Sequence, residues 1–185
     1  MSGAPALRRA DKQLPEPACW AFLRRAYAGR VASTSAQGEP YITPLLHIVE
    51  DDALWVHTGA AHGHLRANLD ANPRVCFEAD EAGEVFPYGR FECDTGLAYT
   101  SVVVFGRMQV VVEAPAKQLF FERFMRKYAD AAWARPRDFF PRLDAVTVYR
   151  IAVERLCGKE TLLPAAEQLW PRLDRTKTPH AQPPG

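Results

Sequence analysis

The feature that most limits what this chain can fold into is a change of period. From Pro17 to Tyr27, Cys19, Trp20, Leu23, Ala26 and Tyr27 recur at helical spacing, and Gly29 suits a C-terminal cap. From Arg30 onward the apolar residues mostly alternate in twos between turn residues. Val31–Ser35 passes through Gln37-Gly38 into Pro40–Val49, which reads as a hairpin. Asp51-Asp52 makes the next turn, and Ala53–Thr58 follows with Leu54, Val56 and Thr58 on one face and Trp55 and His57 on the other. A glycine-bearing turn at 59–63 leads into a short helix ending near Asn72-Pro73. Arg74–Ala79, Tyr99–Glu113 and Ala145–Cys157 complete a set of six strands. A second amphipathic helix starts at Pro115 and runs through Tyr128, with Leu119, Phe120, Phe124 and Tyr128 on its apolar face.

Strands joined mainly by turns predict a mainly β protein with flanking helices, its antiparallel sheet closing into a barrel. Residues 80–98, with Gly83, Pro87, Gly89, Gly96 and three aromatics, read as a long functional or mobile loop that would act as a lid. Residues 129–144 read as an irregular connection. A flexible arm (1–13), one domain (14–165) and a polar, proline-rich, partly disordered tail (166–185) are expected. A length of 185 residues suffices for one domain with a real core.

Formal net charge is +1, so the overall field favours neither nucleic acid nor an anionic membrane. Apolar runs such as Val102–Phe105 are too short for a bilayer, and no apolar stretch follows Arg8 and Arg9 to make a signal peptide. Cys19, Cys76, Cys93 and Cys157 are widely spaced without a CxxC, which suits free thiols in a reducing cytoplasm. No G-x-G-x-x-G or Walker loop follows a strand.

The candidate site is the helix start at His62-Gly63-His64, with Arg66 one turn in. Spare N–H groups and a cationic side chain there suit a phosphate, and the strands carrying Thr43, His57 and Thr58 can hold what the phosphate is attached to. His57, His62 and His64 do not share one helix face, and no carboxylate or cysteine completes a metal set beside them. Cys76, between Val75 and Phe77, reads as buried filler, and Trp20, Trp55 and the Phe120–Phe124 stripe as core or subunit interface.

The segments PYITPL, LWVHTGAAHGHLRANL, NPRVCF, YTSVVVFG and VYRIAVERLCGKE, in this order and spacing over roughly residues 20–165, resemble the pyridoxamine 5′-phosphate oxidase-like FMN-binding proteins. The branch they most resemble is that of the nitroimidazole-resistance proteins. The resemblance implies a six-stranded antiparallel split β-barrel, a homodimer with FMN at the subunit interface, and flavin-dependent oxidoreductase chemistry on a small planar acceptor such as a nitro-aromatic. Carried over by position, Thr43, Pro44, Leu45 and Leu46 would line the isoalloxazine edge, and His57 and Thr58 would lie beside the flavin. Gly63, His64, Leu65 and Arg66 would cradle the phosphate. Thr100 and Ser101 would approach from the partner subunit, and Gly158 with Lys159 would close the site. His57 is the candidate proton donor to substrate. His64 stands where many relatives have Lys or Arg, so phosphate binding is expected to weaken as pH rises and the imidazole loses its charge. Pyridoxamine-phosphate oxidation itself is disfavoured, because no second cradle of basic residues is assignable. The alternative reading is a flavin- or haem-binding carrier or sensor without turnover, with His47, His57, His62 or His64 as axial ligand.

Overall fold

The computed structural model describes residues 9–86, 95–130, 132–133 and 143–164. The elements in chain order are β1 (Gln13–Leu14), α1 (Glu16–Arg25), β2 (Gly29–Thr34), β3 (Pro40–Leu45), β4 (His47–Glu50), β5 (Ala53–Gly59), α2 (His64–Ala71), β6 (Arg74–Phe86), β7 (Gly96–Val111), α3 (Ala114–Tyr128) and β8 (Val146–Thr161), with 3-10 turns at Ala10–Lys12 and Leu143–Ala145. All pairings are antiparallel, and the sheet runs β3-β2-β6-β7-β8-β5-β4, with β1 added to β8. Its two terminal strands, β3 and β4, are neighbours in the chain, separated by Leu46 alone. The sheet must therefore curl until its ends meet, yet no ladder joins them there. This is a split barrel.

The expected six strands become eight for two local reasons. Pro40–Val49, read as one strand, breaks at Leu46 because its first half pairs with β2 and its second with β5, at opposite ends of the sheet. The expected loose arm contributes β1, pinned where Gln13 and Leu14 pair with Lys159 and Gly158. The expected loop at 80–98 is largely sheet: β6 and β7 stay paired out to Phe86 and Gly96, across an irregularity between Ala82 and Val85. Residues 87–94, with Tyr88 and Phe91, lie outside the described residues, as do residues 1–8, most of 129–142 and the tail beyond 164.

Helix α1 ends before Gly29. Its capping residue is Ala26, whose N–H donates to the Phe22 carbonyl at 2.8 Å. Gly29 instead opens β2, where a Cβ would lie 2.1 Å from the Phe77 ring. Gly106 meets a similar limit, 2.2 Å from the Ala152 carbonyl, at the β7–β8 register shift.

The barrel interior is filled by Val31, Leu54, Val56, Phe77, Val102, Val104 and Ile151, all 0% exposed, and α1 plugs it with Cys19, Phe22 and Leu23. A second core forms where Phe120 and Phe121 of α3 meet Ile48, Val111 and Val148. At about 1.5–3 kcal/mol for each large apolar side chain removed from water, α3 is held chiefly by this face. The C-terminus of α3 also fastens the seam. Lys127 Nζ donates to the His47 carbonyl at 3.0 Å. The Tyr128 hydroxyl lies 2.8 Å from that carbonyl and 2.7 Å from the Tyr27 carbonyl, and accepts from the His47 N–H at 3.1 Å. Among the described residues no helix is long and apolar enough to cross a membrane.

Candidate functional site

The end of β5 turns through residues 60–63 into α2, and the Ala60 N–H is fixed on the Ala145 carbonyl at 3.1 Å. Gly63 caps α2 without a side-chain bond. The first N–H bonded back within the helix is that of Ala67, to the Gly63 carbonyl at 3.0 Å. The N–H groups of His64, Leu65 and Arg66 therefore have no intrahelical acceptor and carry the positive end of the helix dipole.

The residues that carry them line a cleft of about 240 Å³. Tyr41 and Thr43 of β3 form one wall, Thr58 and Gly59 of β5 with Tyr149 of β8 another, and Ala61 with Gly63–Arg66 the third. Tyr41 stacks on His64 with ring centroids 4.9 Å apart. The Thr58 hydroxyl donates to the Gly59 carbonyl at 3.0 Å and lies 3.3 Å from the Tyr149 hydroxyl. The Thr43 hydroxyl oxygen is buried and has no hydrogen-bond partner among the described residues. Arg66 donates through Nε to Asp70 at 2.9 Å, and the other Asp70 oxygen lies 2.9 Å from His62 Nε2. The Arg66 hydrogen bond, seconded by His62, holds the Asp70 carboxyl below its usual range, and Asp70 in turn raises the pKa of the Arg66 guanidinium.

Of the residues singled out in the sequence, Thr43, Thr58, Gly63, His64, Leu65 and Arg66 converge on this cleft. Pro44 and Leu45 continue β3, and Leu46 is the seam residue; none of the three is among the cleft's lining residues. His57 lies on the opposite face of β5 from Thr58. Its ring is caged by Phe120, Phe121 and Phe124 at 5.6, 5.3 and 5.0 Å, and its Nδ1 is buried without a hydrogen-bond partner among the described residues. Burial pushes its pKa down and favours the neutral ring. Thr100 donates to Glu160 at 3.0 Å, while Ser101 and Lys159 are cross-strand partners. Tyr149 and Lys159 stand about 33 Å apart along β8 at the usual strand rise, so Ser101 and Lys159 are remote from the cleft of their own chain.

His47 is fully buried, and its Nε2–H donates to the Leu23 carbonyl at 2.8 Å. Among the described residues no group of three metal-ligating side chains converges. The sequence reading missed Tyr41, Tyr149 and Asp70. Asp70 was detectable as the carboxylate four residues after Arg66 on one helix face. Tyr149 required the register that pairs it with Val56.

The sequence profile of the family described as pyridoxamine 5′-phosphate oxidase matches residues 15–160. The chain belongs to that family. No curated protein sequence matches it. Among solved structures, a candidate 5-nitroimidazole antibiotic resistance protein from Bacteroides thetaiotaomicron is 21% identical, with a TM-score of 0.64, covering 80% of this chain and 85% of its own. A FAD-binding protein from Mesorhizobium loti is 25% identical, with a TM-score of 0.60, covering 81% and 97%. A flavocytochrome from Azotobacter vinelandii is 18% identical, with a TM-score of 0.73, covering 88% and 77%. The family member described here shares their split-barrel architecture, despite its count of eight strands.

Proposed function

We propose that this chain is a flavin-binding protein, with FMN as the flavin, and that it works as an oxidoreductase on a small planar acceptor. One observation carries the reading. In a member of the pyridoxamine 5′-phosphate oxidase family, Thr43, Thr58 and the Gly63–Arg66 helix start meet in one cleft. The residues present suit the group. Three N–H groups without intrahelical partners and a guanidinium suit a phosphate. The unpartnered Thr43 hydroxyl and the Thr58–Tyr149 hydroxyl pair suit a polyhydroxylated, hydrogen-bonding ligand. Two of the similar solved structures are described as a FAD-binding protein and a flavocytochrome, which also favours a flavin.

In this reading the amides of His64, Leu65 and Arg66 bind the phosphate, with the Arg66 guanidinium beside them. Thr43, Thr58 and Tyr149 orient the chain that links phosphate to ring. When bound, FMN supplies the electron transfer, and the protein supplies position and polarity. The caged His57 packs against the Phe120–Phe124 stripe of α3 and takes no proton-donor role in this reading.

The cleft of about 240 Å³ is below the usual range for small-molecule pockets, roughly 300–1,000 Å³. Ser101 and Lys159 lie far along the sheet from it. Both facts favour a homodimer in which the partner copy supplies the remaining wall. A cytoplasmic setting agrees with the three described cysteines, Cys19, Cys76 and Cys157, being free.

The test begins with the visible spectrum of the purified protein and identification of any released pigment. Yellow protein releasing FMN, followed by bleaching with NADH or NADPH and reoxidation by a nitro-aromatic compound, is expected. Failure to take up added FMN overturns the proposal. For the dimer, mixing Arg66→Ala with Lys159→Ala subunits restores one intact site per mixed dimer. An absence of any regain of FMN binding refutes shared sites.

A further inference from the structure

We propose that Asp70 is a positioning residue for the phosphate cradle, one that straps the loop before α2 to the helix and sets the Arg66 side chain at the cleft. The inference rests on the phosphate reading above. Asp70 does not line the cleft, whereas Arg66 does. The two Asp70 oxygens are divided between two donors, Arg66 Nε at 2.9 Å and His62 Nε2 at 2.9 Å. Arg66 lies one turn before Asp70, and His62 lies ahead of the helix, eight residues away. One carboxylate near the end of α2 thus holds both the guanidinium and the loop that leads to the free amides.

The geometry leaves Arg66 suited to a second anion. A guanidinium has five N–H donors in a rigid fork. Asp70 takes the Nε donor, and the terminal nitrogens have no hydrogen-bond partner among the described residues. An arginine free to rotate would lose rotamer entropy each time it closed on a phosphate, whereas a tethered one has already lost it. His62 without its tether would loosen the turn between Ala60, held on the Ala145 carbonyl, and the helix start at Gly63 and His64 that lines the cleft.

The opposite reading is that Asp70 only neutralises Arg66. Its negative charge would then weaken phosphate binding, and its removal would strengthen it. Two substitutions separate these roles. Asp70→Asn keeps the shape and both contacts: its carbonyl accepts from Arg66 Nε, and its amide donates to His62 Nε2 when the imidazole is neutral. Asp70→Ala removes both contacts and the charge.

The experiment is a fluorescence titration of the full-length apoprotein and the two variants, all in the same mildly basic buffer, with FMN and separately with riboflavin, which lacks the phosphate. The expected result is that Asp70→Ala weakens FMN binding at least fivefold. Asp70→Asn stays within twofold of wild type or binds more tightly, and neither variant changes riboflavin affinity more than twofold. An Asp70→Ala protein that binds FMN as tightly as wild type, or more tightly, overturns the positioning role. So does a loss equal for riboflavin and FMN, which would mark a general loosening of the cleft. Wild-type protein that binds FMN no more tightly than riboflavin is a separate failure: it removes the phosphate from the cradle, and the proposal falls with that reading.

Discussion

Acid should loosen this barrel at one buried imidazole. His47 sits at the seam, fully buried, with Nε2–H committed to the Leu23 carbonyl and Nδ1 without a partner among the described residues. Burial first, and the nearby Lys127 charge second, lower its folded pKa from 6.5 to about 4. Between these two values the unfolded chain binds a proton that the folded chain refuses, so stability rises with pH. The contribution is complete above about 6.5, falls as pH drops through the window, and levels off below about 4. Each pH unit of that window is worth about 1.4 kcal/mol, so the full loss is about 3 kcal/mol, and roughly 2.5 kcal/mol of it falls between about pH 7.5 and pH 4.5. That is a large share of a typical domain stability of about 5–15 kcal/mol. The assay is urea unfolding of wild type and His47→Gln across this range. The glutamine amide can still donate to Leu23 but does not titrate, and the surface carboxylates change equally in both proteins. The wild type should lose about 2 to 3 kcal/mol relative to the variant as pH falls. A difference between the two that stays constant within about 0.5 kcal/mol, inside the usual error of such extrapolations, would refute the reasoning.

Other changes have equally definite outcomes. Arg66→Ala should weaken FMN binding about tenfold or more while sparing riboflavin, because a charge-assisted phosphate contact is lost; paired titrations measure it. His57→Leu should leave FMN binding unchanged and raise the urea midpoint, since it removes a buried Nδ1 that has no partner among the described residues; the gain is about 1 kcal/mol. Gly29→Ala should cost about 1–3 kcal/mol, because the new methyl would press on the Phe77 ring, and a thermal melt reports it. Tyr149→Phe keeps the packing of a side chain that is 1% exposed but removes the hydroxyl facing Thr58, so flavin affinity should fall severalfold with little change in melting temperature.

The sequence disclosed the parts of the fold that depend on local pattern. The alternation in Ala53–Thr58 already set Thr58 and His57 on opposite faces, and the structure keeps them there, one at the cleft and the other under α3. The glycine-bearing turn and helix start were visible because glycine, a short loop and an arginine one turn on form a local signal. What stayed hidden depends on contacts distant in sequence. Leu46 has no residue type that marks a break; the break exists because Thr43 pairs with Val31 while His47 pairs with Val56. Tyr149 reads as one more apolar strand residue until register sets it beside Thr58. The glycines at 83 and 96 suggested a loop, yet cross-strand pairing carries the hairpin out to Phe86 and Gly96.

The position of β3 at the end of the sheet bears on how a ligand would enter. This strand carries Tyr41 and Thr43 on the cleft wall, and it is held by a ladder on one side only, that of β2. Pro40 and Pro44 remove two of its backbone donors, which also blunts the free edge against pairing with another sheet. Its amides should exchange with deuterium well before those of β7 and β8, which share the longest ladder of the barrel. The pocket thus has a compliant wall mounted on a rigid frame. A ligand entering beside Tyr41 and Thr43 would meet the wall with the fewest ladder bonds, set apart from the interior packing around Phe77 and Val104.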